Sequence, residues 1–229
     1  MRACTILLGW IAIASVLGGC DGSTSVLGPE SIDAPRGQVV GSGNVITESR
    51  NVSGFQAVSF EGLGRLILEQ TGTESLTVSA DDNIVPLLLS EVRDGTLFLG
   101  FVSDTNITDT EPIVFTLSVQ TLTGLTAGGV VEVDATGIDA GRLDVTVSGV
   151  SNVSARGRAG LQNVDVSGVS TYFAENLESE VVVVDVSGPS RVVVKVSEEL
   201  RGEVSAPGSV EYIGDPAVDV DGLGAVHKQ

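Results

Sequence analysis

The sequence predicts an all-β protein, a single parallel β-solenoid with about 18–22 residues per coil. Three observations predict it. The phrase VSGVSNV at 147–153 returns as VSGVSTY at 166–172 and as VSGPSRV at 186–192. Apolar and polar residues alternate around each copy, which is the period of a strand. No convincing amphipathic helix follows residue 40. Tandem units made only of strands and Gly/Ser corners are typical of a solenoid, in which each coil pairs with the one before it.

Composition agrees with a large all-β domain and limits its partners. The 229 residues are 42% hydrophobic but only 4% aromatic, so Val, Leu, Ile and Ala must build the core. These residues favour repetitive strands. The formal net charge of −18 repels phosphate backbones and anionic lipid headgroups, so nucleic acid is excluded as an expected partner.

The first twenty residues read as a bacterial export signal with a lipidation site. Arg2 precedes an apolar run that is too short to span a membrane, and Leu17-Gly18-Gly19-Cys20 resembles the lipobox. The sequence therefore predicts a signal peptide at 1–19. We expect a lipid on Cys20 that begins a polar tether at 20–38, and a domain at 39–229. The alternative is an ordinary secretory signal with an incidental cysteine.

The repeated phrase predicts a corner at which glycines stack from coil to coil. Glycine tolerates a positive φ and a close backbone approach that a side chain would prevent. We expect such corners at Gly149, Gly168 and Gly188, and at the looser copies that include Gly41, Gly62 and Gly222.

Two further ladders follow from the same alignment. The first is a serine ladder that caps the corner backbone, predicted at Ser148, Ser167, Ser187 and Ser205. The second is a core ladder, predicted at Val153, Tyr172, Val192 and Val210.

Residues 74–120 fit the repeat least well and predict the least regular part of the fold. Asp94-Gly95 is a hairpin-type turn signal between strand-like segments, which indicates antiparallel strands or wider coils. The segment 83–92 (NIVPLLLSEV) contains Pro86, so it is either a short helix or a turn followed by a strand.

The order of several segments resembles the head GIN domain family (putative autotransporter adhesin). These are GSGNV from Gly41, VSGFQAVSFEGLGRLILEQ from Val52, LTVSADDNIVPLLLSEVRDGTLFLGF from Leu76, the tandem SG phrases and the terminal GDPAVDVDGLGAV. The resemblance spans roughly residues 41–226. It implies a right-handed parallel β-helix on exported, often lipid-anchored bacterial proteins, and it implies no catalytic residues. EGLGR at 61–65 and TAGGV at 126–130 depart from the SGSGD-like phrase that the family usually has.

The residues offer little for catalysis. The single histidine, His227, is third from the end, and both cysteines lie within the first twenty residues, so triads, thiol chemistry and His zinc sites are not expected. Asp144, Asp165 and Asp185 precede the phrase at similar positions, and we expect them to stack on one outer face. There they either bind a cation or are simply solvated, and solvation is favoured. Asp81-Asp82-Asn83 and the run 104–111 are weaker Ca²⁺ candidates, better explained as polar turns.

Two functions remain open at this point. The first is a non-enzymatic, lipid-anchored envelope protein without a cofactor that serves in adhesion, interaction or structure, at the outer membrane or on the periplasmic face of the inner membrane. Its protein or glycan ligand is not specified by the sequence. The second is a carbohydrate-binding or polysaccharide-degrading β-helix that uses surface carboxylates. These two differ in whether a groove brings carboxylates together around a substrate.

Overall fold

The computed structural model describes residues 38–102, 106–108 and 110–229. The predicted signal peptide, Cys20 and nearly all of the tether lie outside these residues, as does part of the run 104–111. The described chain is all-β and its main sheet has mixed strand orientation, which confirms the all-β class. Its elements are β1 (Gln38–Val40), β2 (Val45–Arg50), β3 (Ala57–Gln70), β4 (Ser75–Asp81), a 3-10 turn (Val85–Leu87), β5 (Leu88–Arg93), β6 (Thr96–Phe101), β7 (Asn106–Thr108), β8 (Val114–Val119), β9 (Gly124–Val147), β10 (Asn152–Val166), β11 (Thr171–Val186), β12 (Arg191–Val204), β13 (Ser209–Ile213), β14 (Ala217–Asp221) and β15 (Ala225–Lys228).

The regular part of the fold is a stack of parallel strands that follow one another in the chain. Strand β10 pairs in parallel with β9 on one side and with β11 on the other, and β11 pairs in parallel with β12. The first half of β12 then pairs with β13 and its second half with β14, again in parallel. Each of these layers is called a rung below. The pairing satisfies the backbone of each rung against its neighbours.

The N-terminal part contains antiparallel strands, which are one of the two alternatives predicted for residues 74–120. Strand β4 pairs antiparallel with both β2 and β8. Strands β5 and β6 form a hairpin, and its turn residues Asp94 and Gly95 both have positive φ, +49° and +76°. The segment 83–92 folds as a 3-10 turn followed by β5, which is the second of the two predicted alternatives. Pro86 suits the first turn because a proline needs no backbone donor there.

The predicted core ladder is confirmed. Val153, Tyr172, Val192 and Val210 are direct partners in successive rungs, and all are 0% exposed. Alternate positions on each strand point inward, so the valines and leucines of successive rungs form one continuous apolar interior.

Five glycines stack along one corner of the described domain. Gly149, Gly168 and Gly188 have φ of +77°, +76° and +69°, and a Cβ on each would meet the backbone of the glycine one rung earlier. Gly129 and Gly62 extend the same series towards the N-terminus. No side chain fits between these layers, because the backbone of the preceding corner occupies the space.

Gly41 and Gly222 do not belong to this series, contrary to the prediction. Gly222 has φ of +111° but lies against the backbone of Val204, and Gly41 donates its N–H to Thr108 O beside β1. Both sit in local turns at the ends of the domain, where the phrase resembles the corner only in composition.

A different set of serines caps the corner. The predicted residues Ser148 and Ser167 pair through their backbone N–H groups with the rung before. The hydroxyls that hold the corner belong to the second serine of each phrase, and Ser190 Oγ, for example, donates to Gly168 O and Ser187 O at 3.0 Å each. These serines are almost completely buried; they are Ser151, Ser170 and Ser190. A buried hydroxyl requires such a partner, whereas the first serine remains partly solvated.

None of the helices in the described residues combines the length and apolar character that a membrane crossing requires.

Candidate functional site

Four carboxylates form a single column on the outer face of the rungs. Asp165 is the direct partner of Asp185, Asp185 pairs with Glu203, and Glu203 pairs with Asp221. All four side chains are exposed. Parallel neighbours lie about 4.8 Å apart, so like charges repeat at that spacing along the column. We call Asp165, Asp185, Glu203 and Asp221 the acidic column.

Asp144 is not part of this column, which corrects the predicted stack of three aspartates. The register of β9 and β10 pairs Asp165 with Thr146, and it pairs Asp144 with Asn163. The Asp144 carboxylate accepts a hydrogen bond of 2.6 Å from Asn163 Nδ2, and its Oδ1 lies 3.0 Å from Arg142 Nη2. Asp144 is therefore partnered, whereas Asp165 and Asp185 stack as predicted.

The acidic column borders a shallow open trough of about 490 Å³. Its lining consists of Asp144, Val145, Thr146, Asn163, Val164, Asp165, Val183, Val184, Asp185, Gly202, Glu203 and Asp221. The carboxylates of the acidic column form one line along the trough and do not face one another across it. In the residues that the structure describes, no group of three or more His, Cys, Asp or Glu has the arrangement of a metal site.

Two residues of the predicted Ca²⁺ candidate 81–83, Asp82 and Asn83, serve as a structural brace. The carboxylate of Asp82 accepts hydrogen bonds from Ser42 Oγ at 2.6 Å and Asn44 Nδ2 at 2.8 Å. These bonds, first of all the one from Ser42, lower the pKa of Asp82. Asn83 donates its side-chain amide to Val40 O and accepts from Ser42 N. The pair thus fixes the loop between β1 and β2 instead of presenting free oxygens.

Asp81, next to this pair, is fully buried and holds the chain that precedes β8. Its Oδ2 accepts from Thr110 Oγ1 at 2.8 Å and from Glu111 N at 3.0 Å. A buried carboxylate is costly without such donors, so this residue tethers residues 110 and 111 to the body of the domain.

A second outer face carries charges of alternating sign. Asp139, Arg158, Glu178 and Lys195 are partners in successive rungs. Arg158 Nε lies 2.9 Å from Asp139 Oδ1, and Lys195 Nζ lies 2.8 Å from Glu178 Oε1. Arg158 lowers the pKa of Asp139, and Lys195 lowers the pKa of Glu178. The charges of this face are therefore satisfied within the protein, and the open cavity of about 760 Å³ beside them offers a ligand few free groups.

One buried polar cluster was missed by the sequence reasoning. Tyr172 Oη donates to Gln162 Oε1 at 2.7 Å, and Gln162 Nε2 donates to Ser179 Oγ. All three residues are buried, and burial raises the pKa of the Tyr172 phenol. Because the three side chains are buried and satisfy one another, the cluster specifies the packing of the interior instead of a reaction. In the sequence, the only indication of this cluster is Gln162, a polar residue at an inward-facing strand position.

Taken together, the described residues define a repeat-built all-β domain whose distinctive chemistry lies on its outer faces. The sequence profile of the family described as "Putative auto-transporter adhesin, head GIN domain" matches residues 54–216. That match covers most of the chain, so the chain belongs to the head GIN domain family. The resemblance stated from the sequence is thereby confirmed.

Several solved structures have a similar fold. A putative adhesin from Bacteroides fragilis is 22% identical, with a TM-score of 0.65 over 83% of this chain and 100% of that one. A putative adhesin from Parabacteroides merdae is 17% identical, with a TM-score of 0.55 over 84% and 99%. A putative lipid binding protein from Parabacteroides distasonis is 16% identical, with a TM-score of 0.51 over 84% and 100%. Comparison with curated protein sequences gave no significant match. At these identities the structures share the fold alone.

Proposed function

We propose that this chain is an exported, lipid-anchored protein of the bacterial cell envelope that works by binding a partner on its outer faces and not by catalysis. The observation that carries the proposal is the acidic column. It presents four exposed carboxylates in single file, whereas acid-base chemistry on a sugar requires two carboxyl groups on opposite sides of the scissile bond. Membership of the head GIN domain family, with its adhesin description, supports the same function.

The architecture that we propose for this role is a right-handed parallel β-solenoid with about 18–22 residues per coil. The corner glycines support it, since Gly149, Gly168 and Gly188 are 19 and 20 residues apart and stack in successive rungs. Such a scaffold repeats each outward position along its axis, which suits an extended contact with a partner.

Export and anchoring are proposed from residues 1–38. A signal peptide at 1–19 would deliver the chain to the envelope, where the lipid on Cys20 and the polar segment 20–38 would tether the domain 39–229 to a membrane. One acyl chain binds a membrane only weakly, so stable attachment needs the several chains that a lipoprotein carries.

The Cys20→Ala variant tests the anchor. We expect the wild-type protein in the detergent-extractable membrane fraction and the variant in the soluble fraction, because the lipid is the only proposed attachment. Fractionation followed by immunoblotting measures this, and Cys4→Ala is the matched control that should remain membrane-bound. Unchanged membrane attachment of Cys20→Ala would refute the anchor.

A carbohydrate-binding or polysaccharide-degrading protein is the second candidate. It is favoured by the trough, whose volume of about 490 Å³ is within the range of ligand sites. A hydrolysis screen of acidic and neutral polysaccharides, run beside a glycan array, separates the two. We expect no depolymerisation, with or without Ca²⁺. Cleavage that is lost in Asp165→Asn or Asp185→Asn would overturn the non-catalytic proposal.

A further inference from the structure

The residue that follows the corner glycine on five successive rungs, and Ala206 on the sixth, is apolar and exposed to solvent. Four of these side chains have large exposed fractions: 38% for Leu63, 55% for Val130, 54% for Val150 and 58% for Val169. Pro189 and Pro207 continue the series and are also exposed. We call these six residues the corner ridge. Single exposed valines are ordinary, but a continuous line of them marks an interaction surface.

Successive members of the corner ridge lie directly above one another. Leu63 and Val130 are register partners, and the N–H groups of Val150 and Val169 donate to the corner glycine one rung earlier, at 2.7 and 2.8 Å. The ridge therefore repeats at the rung spacing of about 4.8 Å and runs roughly 24 Å along the domain.

The acidic column runs beside the corner ridge on the strand that enters the corner. Asp165, Asp185 and Glu203 each stand four residues before a ridge residue, so at most about 13 Å of extended chain separates the two lines. Among the described residues none of the four column carboxylates forms an ion pair.

Both arginines on the other side of the corner are already paired with carboxylates. Two residues after the ridge, Arg65 pairs with Asp134 at 2.5 Å and Arg191 with Glu211 at 2.7 Å. Within the described chain, the corner therefore joins an apolar line to a continuous line of free carboxylates on the side of the acidic column, whereas Glu132 is a single unpaired charge on the other side.

We propose that the corner ridge and the acidic column form a docking surface for a basic amphipathic α-helix of another protein. This inference rests on the proposed binding function and names the chemistry of the partner. A helix is 10–12 Å wide, which is comparable with the upper limit of about 13 Å between the two lines, and its pitch of about 5.4 Å per turn is close to the rung spacing. Over three turns the mismatch is about 1.8 Å, which flexible lysine side chains absorb.

Charge and shape favour this occupant over two others. A second copy of the chain would bring another strongly acidic surface to the column, since the net charge is −18. An anionic lipid surface meets the same repulsion, because the free carboxylates lie directly beside the ridge. A helix with an apolar stripe and a neighbouring stripe of Lys or Arg matches both lines at once.

The probe is a synthetic amphipathic helix of leucine and lysine, about 18 residues or five turns long, with a leucine–glutamate helix as its counterpart. Fluorescence anisotropy against the intact protein measures its affinity. Neutralising the column with Asp165→Asn, Asp185→Asn and Glu203→Gln should weaken binding about tenfold. The matched control removes the same charge outside the corner, with Glu175→Gln, Glu180→Gln and Glu198→Gln, and should change affinity less than about twofold.

The ridge is tested independently of the charges. Val150→Ser with Val169→Ser should weaken binding about tenfold, whereas Val45→Ser with Val218→Ser, which are 49% and 44% exposed elsewhere, should leave it nearly unchanged. All of these side chains are exposed, so circular dichroism and the melting temperature should remain as in the wild type.

Three results would overturn the inference. Equal weakening by the two charge variants would show unspecific attraction. Binding to phosphatidylcholine vesicles that the ridge variant abolishes would make the occupant a lipid surface. Self-association in sedimentation that the ridge variant abolishes would make it a second copy. None of these three results changes the expected outcome of the Cys20→Ala fractionation or of the hydrolysis screen. The inference can therefore fail while the proposed function stands.

Discussion

Replacing Gly168 by alanine is expected to lower the free energy of unfolding by about 2–4 kcal/mol. The added Cβ would lie 2.5 Å from Gly149 O and 3.0 Å from Gly149 N, distances that real Cβ atoms avoid. The backbone at φ of +76° is also in the left-handed region, which costs an L-residue further energy. Relief requires the rungs to separate at the corner, and this breaks the bond from Val169 N to Gly149 O.

The matched control for this substitution is Gly141→Ala. Gly141 lies in a strand, has no positive φ, and a Cβ there would have no atom within 4 Å. Alanine should therefore leave stability unchanged or raise it by up to about 1 kcal/mol, since it reduces the entropy of the unfolded chain. Urea unfolding followed by circular dichroism measures both variants. Equal stabilities would mean that the corner backbones are not stacked as described.

Much of the regular part of this fold could be predicted from the sequence because the corner imposes a strict chemical requirement. Only glycine fits at Gly149, Gly168 and Gly188, so the phrase is repeated in each of these rungs. The spacing of the glycines therefore gives the number of residues per rung. Counting forward from each glycine also finds the core ladder, since Val153, Tyr172 and Val192 each follow their glycine by four residues.

The position of Asp144 was predicted wrongly because the aspartates were aligned with one another and not with the corner. Thr146, Asp165 and Asp185 each precede their corner glycine by three residues, whereas Asp144 precedes Gly149 by five. Register in a parallel sheet is fixed by the backbone, and a shift of two residues keeps a side chain on the same face. The alternation of exposed and buried residues is therefore the same for the correct and the wrong register of Asp144. The number of residues between each aspartate and its corner glycine distinguishes the two registers.

The choice between the two serines of each phrase could not be made from residue type. Ser148 and Ser151 flank the same glycine, and either hydroxyl can reach a corner carbonyl. The direction of the chain after the turn decides which hydroxyl caps the corner. It buries Ser151 and leaves Ser148 partly exposed. The outward corner ridge was missed for a similar reason, because valine in a strand-rich sequence is expected to point inward.

A disulfide cross-link shows whether the repeated phrase forms a stacked corner. Both cysteines of the chain precede the domain 39–229, so in a background with Cys4→Ala and Cys20→Ala the introduced cysteines report only on each other. Val150→Cys with Val169→Cys places two exposed side chains one rung apart, about 4.8 Å, which is within disulfide range. Val130→Cys with Val169→Cys places them two rungs apart, about 9.6 Å, which is beyond it.

After mild oxidation, thiol counting and mass spectrometry should find the first pair almost fully cross-linked within one chain and the second pair reduced. Both pairs contain equally exposed corner residues, so the difference reports on stacking alone. Cross-linking of the second pair, or free thiols in both, would contradict the stacked corner.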